Sequence, residues 1–391
     1  MARPYIVHYG ELGLKGRNRI SFERQLVNNI RRALEDLEDQ GQMKVQRLPS
    51  YLLVKPPSEV PEAKVEARLQ QIPGIAYFAP IVTTPLDIAE ITSAAVEMAR
   101  EIITPETTFR IQATRGNKTF PITSPEVGRE VGGAVQEATG APVNLRHPDV
   151  TLSIQIYDDQ AYLFARRIRG LGGLPVGSSG RVLALFSGGI DSPVAAHLLM
   201  KRGCLMDFVH FHLLRGESEI RESKIAAMAR KVLVPHRAPG RLHMLSAAPF
   251  EAAMAGLDSR VATVVFRRFI MRAAESLANR RRIPALVTGE SVGQVASQTL
   301  KNINLISEAT QLPILRPLIG MDKEEIIEIA QSIGTYELSI KPYQDPCSLH
   351  ARHPATWARH SAVEEVETRI DVDALLEETL SQHLLTIRIT F

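Results

Sequence analysis

Cysteine is scarce in this sequence, with two residues in 391, Cys204 and Cys347. Two thiols exclude a disulfide framework and cannot furnish a four-cysteine zinc or iron–sulfur site. Long apolar runs are missing as well. None reaches the roughly 18 residues that span a bilayer, and residues 1–20 hold no secretory apolar segment. The expectation is a cytoplasmic protein with no membrane partner. Excess charge of either sign is also lacking, at a net +3. That balance permits a nucleic-acid partner, but the basic surface must come from local clustering. The remainder is ordinary for a globular chain: 45% hydrophobic and 23% charged residues, over a length that suits two or three domains.

The most informative stretch is VLALFSGGIDSP, residues 182–193. Its apolar run, through Leu185 and Phe186, predicts a strand buried on both faces, as in a parallel sheet. Ser187-Gly188-Gly189-Ile190-Asp191-Ser192 follows at once, and residues 193–200 read as a helix with Ser192 as N-cap and Pro193 in the first turn. A strand, a glycine-rich turn and a helix N-terminus together make an anion site, because the first N–H groups and the helix dipole favour negative charge. Two phosphate loops are excluded by spelling. No lysine is present for the Walker pattern, and G-x-G-x-x-G is absent. What remains, S-G-G-x-D-S, resembles the PP-loop of the ATP pyrophosphatases, which split ATP between the α and β phosphates and attach AMP to a carbonyl oxygen.

Before this stretch the sequence predicts two smaller units. Residues 4–9 read as a strand, 20–37 as an amphipathic helix, 44–48 and 51–55 as strands and 63–70 as a short helix. The intervening loop carries Lys15, Arg17 and Asn18 among three glycines, which suits either a solvated turn or a contact to backbone phosphates. Residues 73–167 predict a helix over 88–102, a strand over 108–114, a helix from 124 to about 139 and a hairpin of 150–157 with 160–168. Arg110, Arg115 and Lys118 surround one loop there, as a solvated face or as an RNA contact. Residues 171–180, rich in glycine and serine, read as a linker. From residue 181 strands and helices alternate. A strand over 204–212 contains one acid, Asp207, and helices follow at 220–232 and 259–282. A strand over 285–288 leads into Gly289, and Asp322 caps a helix over 323–333. Such alternation predicts a doubly wound parallel α/β sheet whose strand ends bring SGGIDS, HFH and TGES to one rim. The C-terminal tail reads as polar and helix-like. Cys204, in apolar KRGCLMDF, reads as a small buried hydrophobe.

Residues 286–326, with VTGESVGQVASQT and ILRPLIGMDKEEI, closely resemble the bacterial tRNA 4-thiouridine synthetases, also called the thiamine-biosynthesis sulfurtransferase family. HYGELGLKGRN near the start and KRGCLMDFVHFH are similar to the same family. The resemblance implies a ferredoxin-like α+β domain over residues 1–72, a THUMP RNA-binding domain over 73–170 and a PP-loop ATP pyrophosphatase domain over 171–391. It also implies an ATP site. Leu185 and Phe186 precede the loop, Ser187, Gly188, Gly189, Asp191 and Ser192 hold phosphates, and His210 and Phe211 lie near the adenosine. Arg267, Gly289 and Gln298 match further nucleotide contacts. Asp191 matches an acid that acts through Mg2+ and pyrophosphate, and Lys323 a lysine that stabilises charge as the phosphate bond breaks. No residue set is implied as a resident metal site. Lys15, Arg17, Asn18, Arg110, Arg115 and Lys118 are the candidate RNA contacts.

Sulfur chemistry points to Cys347, in KPYQDPCSLHARHP, whose acid–x–Cys spacing is similar to the family's catalytic-cysteine loop. Nearby His350, Arg352 and His353 favour its thiolate. The implied reaction adenylates O4 of uridine 8 in tRNA with ATP, after which a persulfide sulfur displaces AMP to leave 4-thiouridine. The implied partners are tRNA, a cysteine desulfurase as sulfur donor, and a second copy in a homodimer. Longer members carry a rhodanese domain with a second cysteine. No cysteine follows Cys347, so the short form is expected, with release as hydrosulfide or by an outside thiol. Two other classes suit the loop: another PP-loop adenylating enzyme acting on RNA, and a tRNA-binding protein with a non-catalytic nucleotide site. Pyrophosphate exchange without tRNA marks the first, and tRNA affinity without AMP release the second.

Overall fold

A computed structural model describes residues 3–40, 43–157, 159–257, 260–346 and 355–390. The chain forms two compact units, Met1–Gly173 and Leu174–Phe391. In the first unit the strands are β1 (Tyr5–His8), β2 (Lys44–Arg47), β3 (Leu52–Lys55), β4 (Tyr77–Pro80), β5 (Val82–Thr84), β6 (Phe109–Arg115), β7 (Val150–Ile156), β8 (Ala161–Phe164) and β9 (Ile168–Arg169). They make two sheets, ordered β2-β3-β1-β4-β9 and β5-β8-β7-β6. The first sheet therefore runs past residue 72, taking in β4 and, from far along the chain, β9. The chain changes sheet at Ile81, whose side chain is buried and whose N–H donates to Pro4 O at 2.9 Å.

The helix Arg19–Leu34 buries Leu26, Ile30 and Ala33 at helical spacing, then tightens into a 3-10 segment, Glu35–Gln40, where the apolar spacing lapses. The predicted hairpin forms as β7 with β8, antiparallel, while β6 pairs parallel to β7. The helix Ser124–Thr139 begins where Thr123 N–H donates to Glu126 Oε2 at 2.6 Å and ends at Gly140, φ +70°.

The second unit holds a six-stranded sheet of β10 (Arg181–Leu185), β11 (Leu205–His212), β12 (Gly240–Ser246), β13 (Leu286–Val287), β14 (Ile314–Leu315) and β15 (Leu384–Ile389), ordered β14-β13-β10-β11-β12-β15. The first five are parallel. On β10, Leu183 joins a core with Val209, Phe266 and Leu286, whereas Val182 and Ala184 join another with Phe208 and Val287. Both faces are covered, as the unbroken apolar run requires. Asp207 interrupts that pattern on β11 because it is an internal counter-ion, fully buried between Arg181 (2.6 Å) and Arg281 (2.9 Å). Its Oδ1 also accepts Arg241 N–H at 3.1 Å.

Several expectations change. The tail is helical over His360–Arg369 and Val372–Gln382, but then forms β15, which pairs antiparallel with β12 and closes the sheet edge. The helix expected over 220–232 is two helices, Glu217–Glu222 and Lys224–Leu233. Ser223 divides them, its hydroxyl donating to Ile220 O (2.8 Å) and accepting Ala226 N–H (3.2 Å). Beyond Gly173 the expected linker packs into the second unit, where Leu174 N–H donates to Lys201 O and Gly177 N–H to Gly203 O. Cys204 is buried, which pushes its thiol pKa up. Among the described residues no helix is long and apolar enough to cross a membrane.

Candidate active site

The turn after β10 is shaped by its own serines. Ser192 does not cap the helix: the helix Asp191–Lys201 begins two residues before the expected start, so Ser192 and Pro193 occupy its second and third positions. The Ser192 hydroxyl instead closes the turn, accepting Ser187 N–H at 2.9 Å and donating to Ser187 O at 3.2 Å. Gly189 N–H donates to Ser187 Oγ at 3.3 Å. Close approach of other segments explains two glycines. A Cβ on Gly289 would lie 2.9 Å from both Asp191 C and Ser192 N, and one on Gly188 would lie 2.7 Å from Cδ1 of the Tyr343 ring.

A cleft partly open to solvent lies at the carboxyl ends of β10, β11 and β13, where parallel α/β sheets take their ligands. Its lining combines apolar Leu185, Val209, Phe211, Phe266, Ile270 and Met271 with polar Ser187, Asp191, Arg267, Glu290, Gln298 and Asp345. His210 also lines it and is buried. Its Nδ1 faces Phe186 O at 2.6 Å, and since a carbonyl only accepts, the proton is on Nδ1. Nε2 is then an acceptor for the Tyr343 hydroxyl at 2.7 Å. Burial lowers the His210 pKa, with Asp345 and the Phe186 bond acting in the opposite sense, so the ring is neutral.

At the head of the turn, Lys323 Nζ lies 2.6 Å from Asp191 Oδ1 while Gln294 Nε2 donates to Asp191 Oδ2 at 2.9 Å. Lys323 opens the helix Lys323–Ser332, whose expected cap is formed by Asp322 and Glu325. A cation is disfavoured at that helix end, and the Asp191 carboxylate offsets the penalty. Glu290, also buried, receives Arg316 (2.7 Å), Arg267 (3.3 Å) and the Thr288 hydroxyl (3.0 Å). The buried Nε–H of Arg267 has no partner among the described residues.

Leu185, Phe186, Ser187, Asp191, Ser192, His210, Phe211, Arg267, Gly289 and Gln298 therefore line one cleft, and Lys323 reaches it through Asp191. Gly188 and Gly189 lie within the turn itself. Cys347 lies outside the described residues. Asp345 lines the cleft, and residues 355–358 are tied to the segment after Gln298. There Asn302 Nδ2 donates to Ala355 O (2.9 Å), Thr299 Oγ1 to Thr356 O (2.8 Å) and Ala358 N–H to Asn302 Oδ1 (3.0 Å).

Glu290 and Asp345 line the cleft and were missed by the sequence reading, as was Tyr343, which contacts Gly188 and His210 without lining the cleft. Glu290 stands in TGES and Asp345 in the acid–x–Cys spacing, so each carried a local signal. Tyr343 carried none.

In the first unit Arg17 and Asn18 lie on the 3-10 turn Gly16–Asn18, which Lys15 joins to the 3-10 turn Glu11–Leu14. Arg17 and Asn18 are exposed, while the Lys15 ammonium sits 5.2 Å from the Phe22 ring centroid. Lys118 is exposed. Arg110 Nε donates to Thr151 Oγ1 at 3.1 Å. Arg115 is largely engaged in folding its own loop, donating to Phe120 O (2.8 Å) and Ile122 O (2.7 Å).

Residues 5–79 match the ThiI ferredoxin-like domain, 86–166 the THUMP domain and 177–372 the thiamine biosynthesis protein (ThiI) family. The chain is 41% identical to a probable tRNA sulfurtransferase of Moorella thermoacetica, covering 99% of this chain and 98% of that protein. It is 44% identical to a probable tRNA sulfurtransferase of Thermus thermophilus, over 96% of this chain and 91% of the relative. Its structure is similar to that of a 4-thiouridine synthetase solved as an RNA complex with bound ATP, with TM-score 0.86, 34% identity and 100% of both chains covered. The chain belongs to the ThiI family of tRNA sulfurtransferases.

Proposed function

We propose that this protein is an ATP-dependent tRNA sulfurtransferase that converts uridine 8 to 4-thiouridine. The observation that carries the reading is the meeting, at one cleft, of the SGGIDS turn, the Asp191–Lys323 pair and Asp345, two residues before Cys347.

Uracil O4 is a poor leaving group until it is esterified. O4 attacks the α phosphorus of ATP, the bond to the β phosphate breaks, pyrophosphate leaves and the N3 proton is lost. The terminal sulfur of a Cys347 persulfide then attacks C4, and the C4–O bond breaks with AMP as leaving group. A second thiol resolves the remaining S–S bond by forming a disulfide with Cys347, or that thiol first attacks Cys347 Sγ, forming the same disulfide and expelling hydrosulfide, which attacks C4 in its place. Holding ATP, base and sulfur in one enclosed site makes each step effectively intramolecular.

Within that scheme the apolar lining residues of the cleft take the adenine. The backbone of the turn at the helix N-terminus takes the phosphates. The unpartnered Arg267 Nε–H suits a ligand oxygen. Lys323 neutralises charge that develops as pyrophosphate departs, and Asp191 aims its ammonium. Asp191 offers one carboxylate, and no group of three His, Cys, Asp or Glu side chains gathers among the described residues. That donor set fits Mg2+ held mostly by phosphates and water, with charge neutralisation as its contribution. The RNA contacts are assigned to Lys15, Arg17, Asn18, Arg110, Arg115 and Lys118. Uridine alone is too common to specify a site, so tRNA shape supplies specificity. A pyridoxal-phosphate cysteine desulfurase is the sulfur donor in this reading, and two copies share one tRNA.

The test is incubation with unmodified tRNA, MgATP and a persulfide or sulfide source, followed by digestion and nucleoside analysis. The reading expects 4-thiouridine, abolished by Cys347→Ser when the sulfur is supplied as persulfide, with ATP binding retained. AMP release without tRNA and without thionucleoside would overturn it.

A further inference from the structure

The segment that leads to Asp345 is fastened to the nucleotide turn by contacts that nucleotide binding does not require. Lys224 Nζ donates to Ser339 O at 2.7 Å and to Lys341 O at 2.6 Å. This lysine opens the helix Lys224–Leu233, an unfavourable end for a cation, and burial lowers its pKa. Two residues beyond Lys341, the Tyr343 ring closes on Gly188, at a distance that leaves no room for a Cβ there. The Tyr343 hydroxyl donates to His210 Nε2, whose Nδ1–H donates to Phe186 O. One imidazole thus joins the residue that feeds the turn to the residue two before Asp345. Because the Phe186 carbonyl fixes the tautomer, the polarity of the link is fixed as well. A phenylalanine would retain the packing on Gly188 and lose only the link.

We propose that Tyr343 is a positioning residue for the sulfur-transfer half of the reaction, setting the register of the 339–345 segment, which the sequence continues into Cys347 two residues on, against the turn that holds the adenylating phosphate. The assignment rests on the function proposed above and deepens it. It separates the two half-reactions. Adenylation uses the turn, Asp191 and Lys323 and does not need the link. Displacement of AMP needs the sulfur delivered to C4 and does.

The experiment compares Tyr343→Phe and Tyr343→Leu with the wild type and with Cys347→Ser, in the full chain with unmodified tRNA. Adenylation is read as tRNA-dependent ATP–pyrophosphate exchange. Sulfur transfer is read as single-turnover 4-thiouridine from protein loaded with persulfide by a cysteine desulfurase and cysteine. The expected result for Tyr343→Phe is exchange within twofold of wild type, unchanged KM for ATP, and transfer slowed about tenfold, the scale of one lost hydrogen bond. Tyr343→Leu, which also loses the ring, is expected to lose more transfer. Free hydrosulfide attacks C4 without a positioned cysteine, the C4–O bond breaking and AMP leaving. Millimolar sulfide is therefore expected to restore 4-thiouridine in Tyr343→Phe and Cys347→Ser alike, a rescue that a merely structural defect would not show. Transfer at the wild-type rate in Tyr343→Phe, or exchange and transfer falling together without sulfide rescue, overturns the assignment. Should the leucine variant fail to fold, the phenylalanine variant decides alone. A wild type that exchanges pyrophosphate and makes no 4-thiouridine overturns the parent reading, and this one with it.

Discussion

Replacing Lys323 by methionine separates a catalytic from a structural role for its ion pair. The Lys323 side chain is 42% exposed and that of Asp191 20%, so solvent screens the pair. A pair of that kind contributes about 0.2–1 kcal/mol to stability. Lysine in the first turn of a helix costs about 0.3–1 kcal/mol against the dipole. The two nearly cancel, leaving a net change below about 1 kcal/mol. For a unit the size of Leu174–Phe391 that shifts Tm by less than about 4 °C. Loss of a group that stabilises developing charge lowers turnover about 10²–10³-fold. Lys323→Met is therefore expected to cut tRNA-dependent AMP formation by about two to three orders of magnitude, with calorimetric Tm nearly unmoved. Turnover within threefold of wild type would refute the reasoning. So would a lost rate that tracks a large fall in Tm.

Gly289→Ala places a Cβ 2.9 Å from backbone atoms of Asp191 and Ser192, which cannot rotate away. ATP affinity, read by calorimetric titration, is expected to fall at least about tenfold, the scale of a core overpacked by one methyl group, and unchanged affinity would contradict the packing described. Asp207→Ala leaves the Arg181 and Arg281 guanidinium groups facing one another without their carboxylate. Urea denaturation should show a loss of about 3 kcal/mol, and a loss below about 1 kcal/mol would mean that the buried cluster is neutral in net energy. Burial lowers the pKa values of His8, His197 and His212 to about 4, so at neutral pH each ring is uncharged in the fold. As pH falls from about 6.5 towards 4 the unfolded chain takes up protons that the fold refuses, and stability drops. The expected loss between pH 7 and pH 5 is about 1–2 kcal/mol per histidine. A denaturation midpoint that stays level or rises over that range would show that these rings are not buried neutral.

The parts legible in the sequence are those whose chemistry is local. A two-sided apolar run, a glycine-rich turn and a capped helix each announce themselves within a dozen residues. The turn after β10, the hairpin of β7 with β8 and the Asp322 cap formed as expected. Ser192 shows the limit. A serine before a helix suggests a cap, yet its hydroxyl is taken by Ser187 across the turn, which no helix pattern encodes. β12 escaped because His243 and Arg241 interrupt its apolar pattern. The structure tolerates His243 there through a cross-strand contact to Thr386 on β15 at 2.9 Å. β15 was hidden behind two polar helices, its alternation being only six residues long. Tyr343 and Glu290 depend on contacts with segments 155 and 23 residues away, at Gly188 and Arg267. Such partners are set by topology rather than by spacing.

The central claim is that the turn after the middle strand activates a base oxygen so that sulfur can replace it. The most direct measurement uses tRNA carrying ¹⁸O at O4 of uridine 8, in a single turnover with MgATP and persulfide-loaded protein. The account predicts that the AMP released carries the label, one atom for each 4-thiouridine formed. Unlabelled AMP alongside 4-thiouridine would contradict it.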